Sequence, residues 1–238
     1  MGELFDFGFM VESFPEIVKY LPVTLGIAVI SMVFGLFLGF LTALVRYYQI
    51  PVVDRLAVVY VSFIRGTPLL VQIYLAYYGI PKFLQVLNEA NGWNLNVDSI
   101  PALYFVYLTC SVNVGAYLSE SIRSALLSVD KGQIEAAYAM GMTSFQAMRR
   151  IILPQALVVA FPNFGNLFIS LVKDTSLAFI ISVVEIMGAA KIVGARGLRF
   201  FEVYIVAALL YWFVCILIER LTLLAERRLR RYEREIVP

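Results

Sequence analysis

From Val23 to Val45 the chain runs 23 residues without a charged side chain, and no other feature constrains its fold as much. At 1.5 Å rise per residue this run crosses a ~30 Å hydrocarbon core as one helix. Four more apolar runs follow. The predicted spans are 23–45, 56–80, 100–127, 155–181 and 203–224, the second interrupted by Arg65 and Pro68. A composition of 61% hydrophobic against 15% charged residues agrees with five crossings in 238 residues. The expected fold is therefore an all-α integral membrane protein. Its flanks are an N-terminal segment 1–20, a polar loop 128–154 and a tail 225–238. Residues 183–202, rich in glycine and mixed in polarity, are too polar for a sixth crossing and read as a short external or re-entrant segment. Met1–Tyr20 lacks a basic region followed by a small-residue cleavage site, so the first apolar run is expected to remain as an anchor. Gly35 and Gly39 lie on one face of that run, a spacing that predicts close helix contact.

Lys and Arg set the orientation. Twelve fall on the side of the 128–154 loop and the tail, and five on the other, where Lys191, Arg196 and Arg199 run against the trend. The N-terminus is thus expected outside and the loop and C-terminus in the cytoplasm. The tail alternates sign, with Glu226 four residues before Arg230, as an exposed helix near anionic head groups would. The balance of 19 Lys and Arg against 17 Asp and Glu gives no reason to expect nucleic-acid binding.

Several chemistries are excluded. There is no histidine, which removes His-dependent triads and HExxH zinc sites, and no metal site is expected. No phosphate-binding loop is present, so the chain is expected to bind no nucleotide and to catalyse nothing. Cys110 and Cys215 lie in apolar runs and read as small buried hydrophobes.

Charged and polar groups inside the spans carry the remaining signal, because each is costly there unless paired or functional. Arg65 and Glu120 lie about ten and eight residues from the cytoplasmic ends of their spans, so their similar depths predict an ion pair serving as a structural or gating bridge, or else substrate contact. Arg123, one turn nearer the cytosol, can snorkel. In span four, Asn163, Asn166, Ser170 and Asp174 approximate one helix face, with Lys173 adjacent and Pro162 and Gly165 loosening the helix. Such a face offers donors for a carboxylate and an acceptor for an ammonium. It could line a solute path, pair with another chain or satisfy freed backbone groups. Gln72 and Asn113 are further candidates for the lining.

Between the third and fourth spans, Lys131–Met140 is composed of good helix formers with Gly141 placed to end the helix. Thr143 to Gln146 fits a capping box that starts a second short helix, which Pro154 ends or re-aims into the membrane. Glu135, Tyr138, Met140 and Met142 are expected on the surface beside Arg149 and Arg150. The run E-A-A-x3-G-x9-I-x-L-P, from Glu135, Ala136 and Ala137 through Gly141 to Leu153 and Pro154, resembles the cytoplasmic loop of permease subunits of ATP-binding-cassette importers. The stretches Phe63–Leu69, Glu120–Arg123 and Leu171–Leu177 resemble the polar amino-acid branch. Ser128–Gln133 and Lys173–Ser176 look most like cystine-type permeases.

That resemblance implies five helices of the type I ABC importer permease fold in a bacterial plasma membrane. It further implies pairing with a second permease, identical or paralogous. Two ATP-binding subunits would carry ATP and Mg, and an extracytoplasmic solute-binding protein would deliver the solute. Glu135, Ala136, Ala137, Gly141, Leu153 and Pro154 would form the coupling helix and its frame. The alternative is a self-sufficient secondary transporter or channel, although no internal repeat is visible.

Overall fold

The architecture follows from one close pairing. In the computed structural model, which describes residues 5–93 and 96–236 with side chains through Leu229, helix α2 (Leu21–Tyr47) packs along α6 (Ala102–Leu127). Gly35 and Gly39 face Ser111–Ser119 of α6. A Cβ at Gly39 would lie 2.8 Å from the Leu118 Cβ and 2.9 Å from the Gly115 carbonyl, so only glycine permits this approach. Residue numbers rise together along the two helices, so α2 and α6 run parallel. The chain must therefore cross back between them.

That return is broken. Helix α3 (Val53–Gly66) stops at Thr67, which is extended ahead of Pro68. The path resumes as α4 (Leu69–Tyr74), a π-helical turn (Leu75–Gly79) and α5 (Ile80–Asn91), bent 111° from α3. The interrupted span expected over 56–80 is thus a bent pair of helices, broken at Pro68. The buried Gln72 side chain holds the bend. Its Nε2 donates to the Ile64 carbonyl at 2.8 Å and to the Thr67 carbonyl and hydroxyl at 3.1 and 2.9 Å, satisfying acceptors that the break would orphan.

After α6 come α7 (Lys131–Ala139) and α8 (Ser144–Ala147), a π-helical turn (Met148–Ile152) and α9 (Leu153–Asp174), which tightens to a 3₁₀ stretch through Ile181. Pro154 neither ends the second short helix nor re-aims it, contrary to expectation. The wide turn lets Leu153 N–H reach the Met148 carbonyl and seats the proline ring at the start of α9. Ser144–Ile181 is consequently one rod of 38 residues.

Helix α10 (Ile186–Gly197) occupies the mixed segment and is too short to cross a bilayer. It is flanked by residues in the left-handed region, Ser182 (φ 64°) and Leu198 (φ 53°). Glu185, fully buried, caps it by accepting from Met187 N–H at 3.0 Å, Gly188 N–H at 2.9 Å and the Tyr211 hydroxyl at 2.5 Å. Burial pushes this carboxyl above the usual range, and those hydrogen bonds offset part of the rise.

Helix α11 (Phe200–Ile236) is the last span and continues past it. The basic tail expected over 225–238 follows as helix to Ile236, and its side chains from 230 onward, including the Glu226–Arg230 spacing, lie outside the described residues. Counting the bent pair as one, five helices are long and apolar enough to cross a membrane among the described residues.

Helix α1 (Phe7–Val18) lies within the N-terminal segment and explains the basic residues that run against the charge trend. Arg196 meets Glu16 at 2.5 Å, Arg199 meets Asp6 and Glu202 at 3.3 Å each, and Lys191 sits over the Phe179 ring at 5.2 Å.

Candidate functional site

The polar loop is built by local chemistry alone. Asp130 caps α7, accepting from Gly132 and Gln133 N–H at 2.8 and 3.3 Å. At the other end Gly141 turns left-handed (φ 79°). Met142 N–H bonds the Ala137 carbonyl at 3.1 Å and Gly141 N–H the Tyr138 carbonyl at 2.9 Å, a Schellman closure. The capping box forms as the sequence predicts: Thr143 accepts from Gln146 N–H at 3.3 Å, and Gln146 Oε1 accepts from Thr143 N–H at 2.9 Å.

The elbow is fastened to the rod. Gln155 Nε2 donates to Gln133 Oε1 at 2.6 Å and to the Ile151 carbonyl at 3.1 Å, while Ala137, Ala147 and Ile152 are buried beneath it. Glu135, Ala136, Tyr138, Arg149, Arg150 and Pro154 are exposed, and Leu153 is half-buried. Met140 is 81% exposed and Phe145 73%, unusual for such side chains in water. Met142, expected outside, is half-buried because the Schellman turn folds it back over α7. Phe145 takes its place on the surface. The signal for it is the capping box itself, which puts the second residue of α8 outward.

Two open cavities follow one another along the facing sides of α6 and α9. The first, about 410 Å³, is lined by Thr67, Asn113, Tyr117, Ser170 and Asp174 among apolar neighbours. The second, about 550 Å³, is lined by Arg65, Tyr117, Glu120, Ser121, Ser124 and Asn163 among others. Tyr117 and Leu167 border both, so the two form one polar groove. Asn163 donates to the Ser121 hydroxyl across it.

Of the residues singled out from the sequence, Asn113, Asn163, Ser170 and Asp174 therefore meet in this groove. Asn166 is exposed on the same face but lines neither cavity. Lys173 also lines neither, since the next helical position points about 100° away. Gln72 sits behind the groove wall, its Oε1 accepting from Asn113 Nδ2 at 2.9 Å while the same amide clamps the bend. Thr67, Tyr117, Ser121 and Ser124 extend the expected set. The last three continue from Asn113 at intervals of four, four and three, a polar stripe readable from the sequence of α6.

The expected Arg65–Glu120 pair does not form. Glu120 is taken by Arg46 of α2 and by Arg123 at 3.4 Å, whereas the Arg65 guanidinium lies over the Tyr117 ring, 5.5 Å from its centroid. Depth alone does not choose the partner: Arg65 and Glu120 both line the second cavity, but α2, packed tightly on α6, brings Arg46 to Glu120, and Arg65 turns to Tyr117.

Comparison with known proteins accounts for the architecture. Residues 14–231 match the family model for "Binding-protein-dependent transport system inner membrane component". The L-cystine transport system permease protein TcyL of Bacillus subtilis (strain 168) is 41% identical over 237 residues, 100% of this chain and 97% of that protein. The probable amino-acid ABC transporter permease protein PatM of Vibrio harveyi is 41% identical over 227 residues, 95% and 97% of the two chains. A crystal structure of an amino acid ABC transporter with histidines superposes with a TM-score of 0.83 at 34% identity, covering 95% of this chain and 100% of that one. An inward-facing MetNI methionine ABC transporter, at 22% identity and a TM-score of 0.70, shares the fold over 90% of this chain and 96% of its own. With matches across nearly its whole length, this chain belongs to the family of binding-protein-dependent transport system inner membrane components and is a multi-pass permease of the type I ABC importer fold.

Proposed function

We propose that this chain is the permease subunit of an ATP-driven importer for a polar amino acid, of the cystine-type class, working by alternating access. One observation carries the reading. The exposed elbow around Glu135, Tyr138, Met140 and Phe145 is fixed to the same helical rod whose far half bears Asn163, Ser170 and Asp174. From Ser144 to Asp174 the rod runs roughly 45 Å at 1.5 Å per residue. A push on the elbow therefore moves one wall of the groove as a rigid body.

Two ATP-binding subunits would supply that push, holding ATP and Mg themselves while this chain binds no cofactor and hydrolyses nothing. Glu135, Ala136, Ala137 and Gly141 would seat in the ATPase, with Leu153 and Pro154 framing the joint to the rod. A second permease, identical or paralogous, would close the open side of the groove. An extracytoplasmic solute-binding protein would deliver the amino acid, as relatives named for L-cystine and other amino-acid transport systems suggest. Within the groove, Asp174 suits the substrate ammonium, and the amides of Asn113 and Asn163 suit its carboxylate. In the bacterial plasma membrane the elbow and C-terminus would face the cytoplasm and the N-terminus the outside, as the charge asymmetry indicates.

Replacing Glu135 by Arg should leave the permease inserted and monodisperse while abolishing co-purification of the ATPase and uptake in proteoliposomes. Undiminished pull-down would remove the elbow from the joint. Solute accumulation by the permease without any ATPase would favour a self-sufficient transporter.

A further inference from the structure

We infer that α1 is an interfacial helix whose Phe7, Val11 and Phe14 facet is seated in the lipid leaflet where the first and last spans begin. Its ends are both tied. Only Lys19 and Tyr20 separate α1 from the start of α2. At the other end, Asp6 N–H donates to the Glu202 carboxylate in the first turn of α11 at 3.2 Å, and Arg199 bridges the side-chain carboxylates of Asp6 and Glu202. Leu21 and Val203, near the starts of these spans, pack in one cluster with Ile17 of α1. Both ends of α1 are thus held at the level where spans start, which lays the helix along the membrane boundary.

Ten of its 12 residues divide among three faces, while Glu16 pairs with Arg196 and Val18 packs against the α10–α11 cluster. Phe9, Met10, Ser13 and Ile17 turn toward α10 and α11, and a Cβ at Gly197 would lie 2.6 Å from the Phe9 ring. Gly8, Glu12 and Pro15 form an exposed face with a charge on it. Phe7, Val11 and Phe14, at i, i+4 and i+7, make a third face that is apolar and uncovered, at 68, 57 and 47% exposure. A soluble environment accounts for the second face but not the third.

Continuity identifies the occupant as lipid. Phe5, just ahead of α1, packs edge-on against Phe201 with ring centroids 6.3 Å apart. Phe201 in turn heads the exposed apolar side of α11, with Leu209, Trp212 and Phe213 further along the span. The bare facet of α1 therefore extends a surface that already faces hydrocarbon, as interfacial amphipathic helices do.

The test uses the intact transporter complex in phosphatidylethanolamine–phosphatidylglycerol vesicles whose acyl chains are brominated either near the head group or near the methyl end. Phe14→Trp and Phe7→Trp are compared with Glu12→Trp, after subtracting the emission of the parent, which contains Trp93 and Trp212. Retained uptake shows that each variant is folded. Emission added at positions 14 and 7 should be lost more with head-group-proximal bromine than with deep bromine, and emission at position 12 should be unaffected. Emission at positions 14 and 7 that ignores bromine overturns the inference. So does a blue shift that appears only after an extracytoplasmic binding protein is added, because the facet is then a protein contact.

Discussion

Glu120 balances two arginines at the half of the groove nearer the elbow, and its removal is informative because those partners are only 15 and 30% exposed. Glu120→Ala should lower stability by about 2 kcal/mol, between the values for surface and buried pairs, read as a lower melting temperature in detergent. A double-mutant cycle separates the two geometries: Arg46 and Glu120 should couple, and Arg65 and Glu120 should not. Coupling to Arg65 of the same size would reinstate the pair that equal depth suggests. Asp174, by contrast, borders the open cavity rather than the packed core. Asp174→Asn should therefore reduce uptake while leaving stability within about 0.5 kcal/mol of the parent, as for a residue outside that core.

Glycine roles differ by element. In α2, Gly39→Ala places a methyl against Leu118 and the Gly115 carbonyl, an overpacking that should cost about 1–3 kcal/mol and depress the yield of folded protein. At the elbow, Gly141 has open space around it but a left-handed backbone. Gly141→Val should accordingly leave the spans intact while costing about 1–2 kcal/mol locally. Its signature is loss of ATPase co-purification with little change in melting. Equal damage to both readouts would mean that the elbow and the spans fold as one unit. The elbow's caps are legible in the sequence itself, since Asp130, Gly141 and the Thr143–Gln146 box each act over five residues or fewer. The two π-helical turns are not. Each lies just ahead of a proline, Pro81 and Pro154, where a helix-breaking reading is the default, and only neighbouring helices decide whether the chain stops or widens its turn.

At the scale of the molecule, one rod joins the elbow to the groove, and the broken span lends the groove Arg65 and Thr67. If the rod moves as a body, a cysteine at Ser170 should change its reactivity toward a membrane-impermeant thiol reagent when ATP is supplied to the assembled complex. Insensitivity to ATP would mean that the groove is static. The run lengths, the excess of Lys and Arg on one side and the short-range caps were determined by the sequence alone, because hydrophobic partition and backbone capping act within one helix or one turn. Which arginine meets Glu120, the 111° bend and the side of α6 that opens into the groove were decided only by tertiary structure. Those outcomes depend on helix crossing and close approach, which arise when Gly35 and Gly39 let two distant segments pack together.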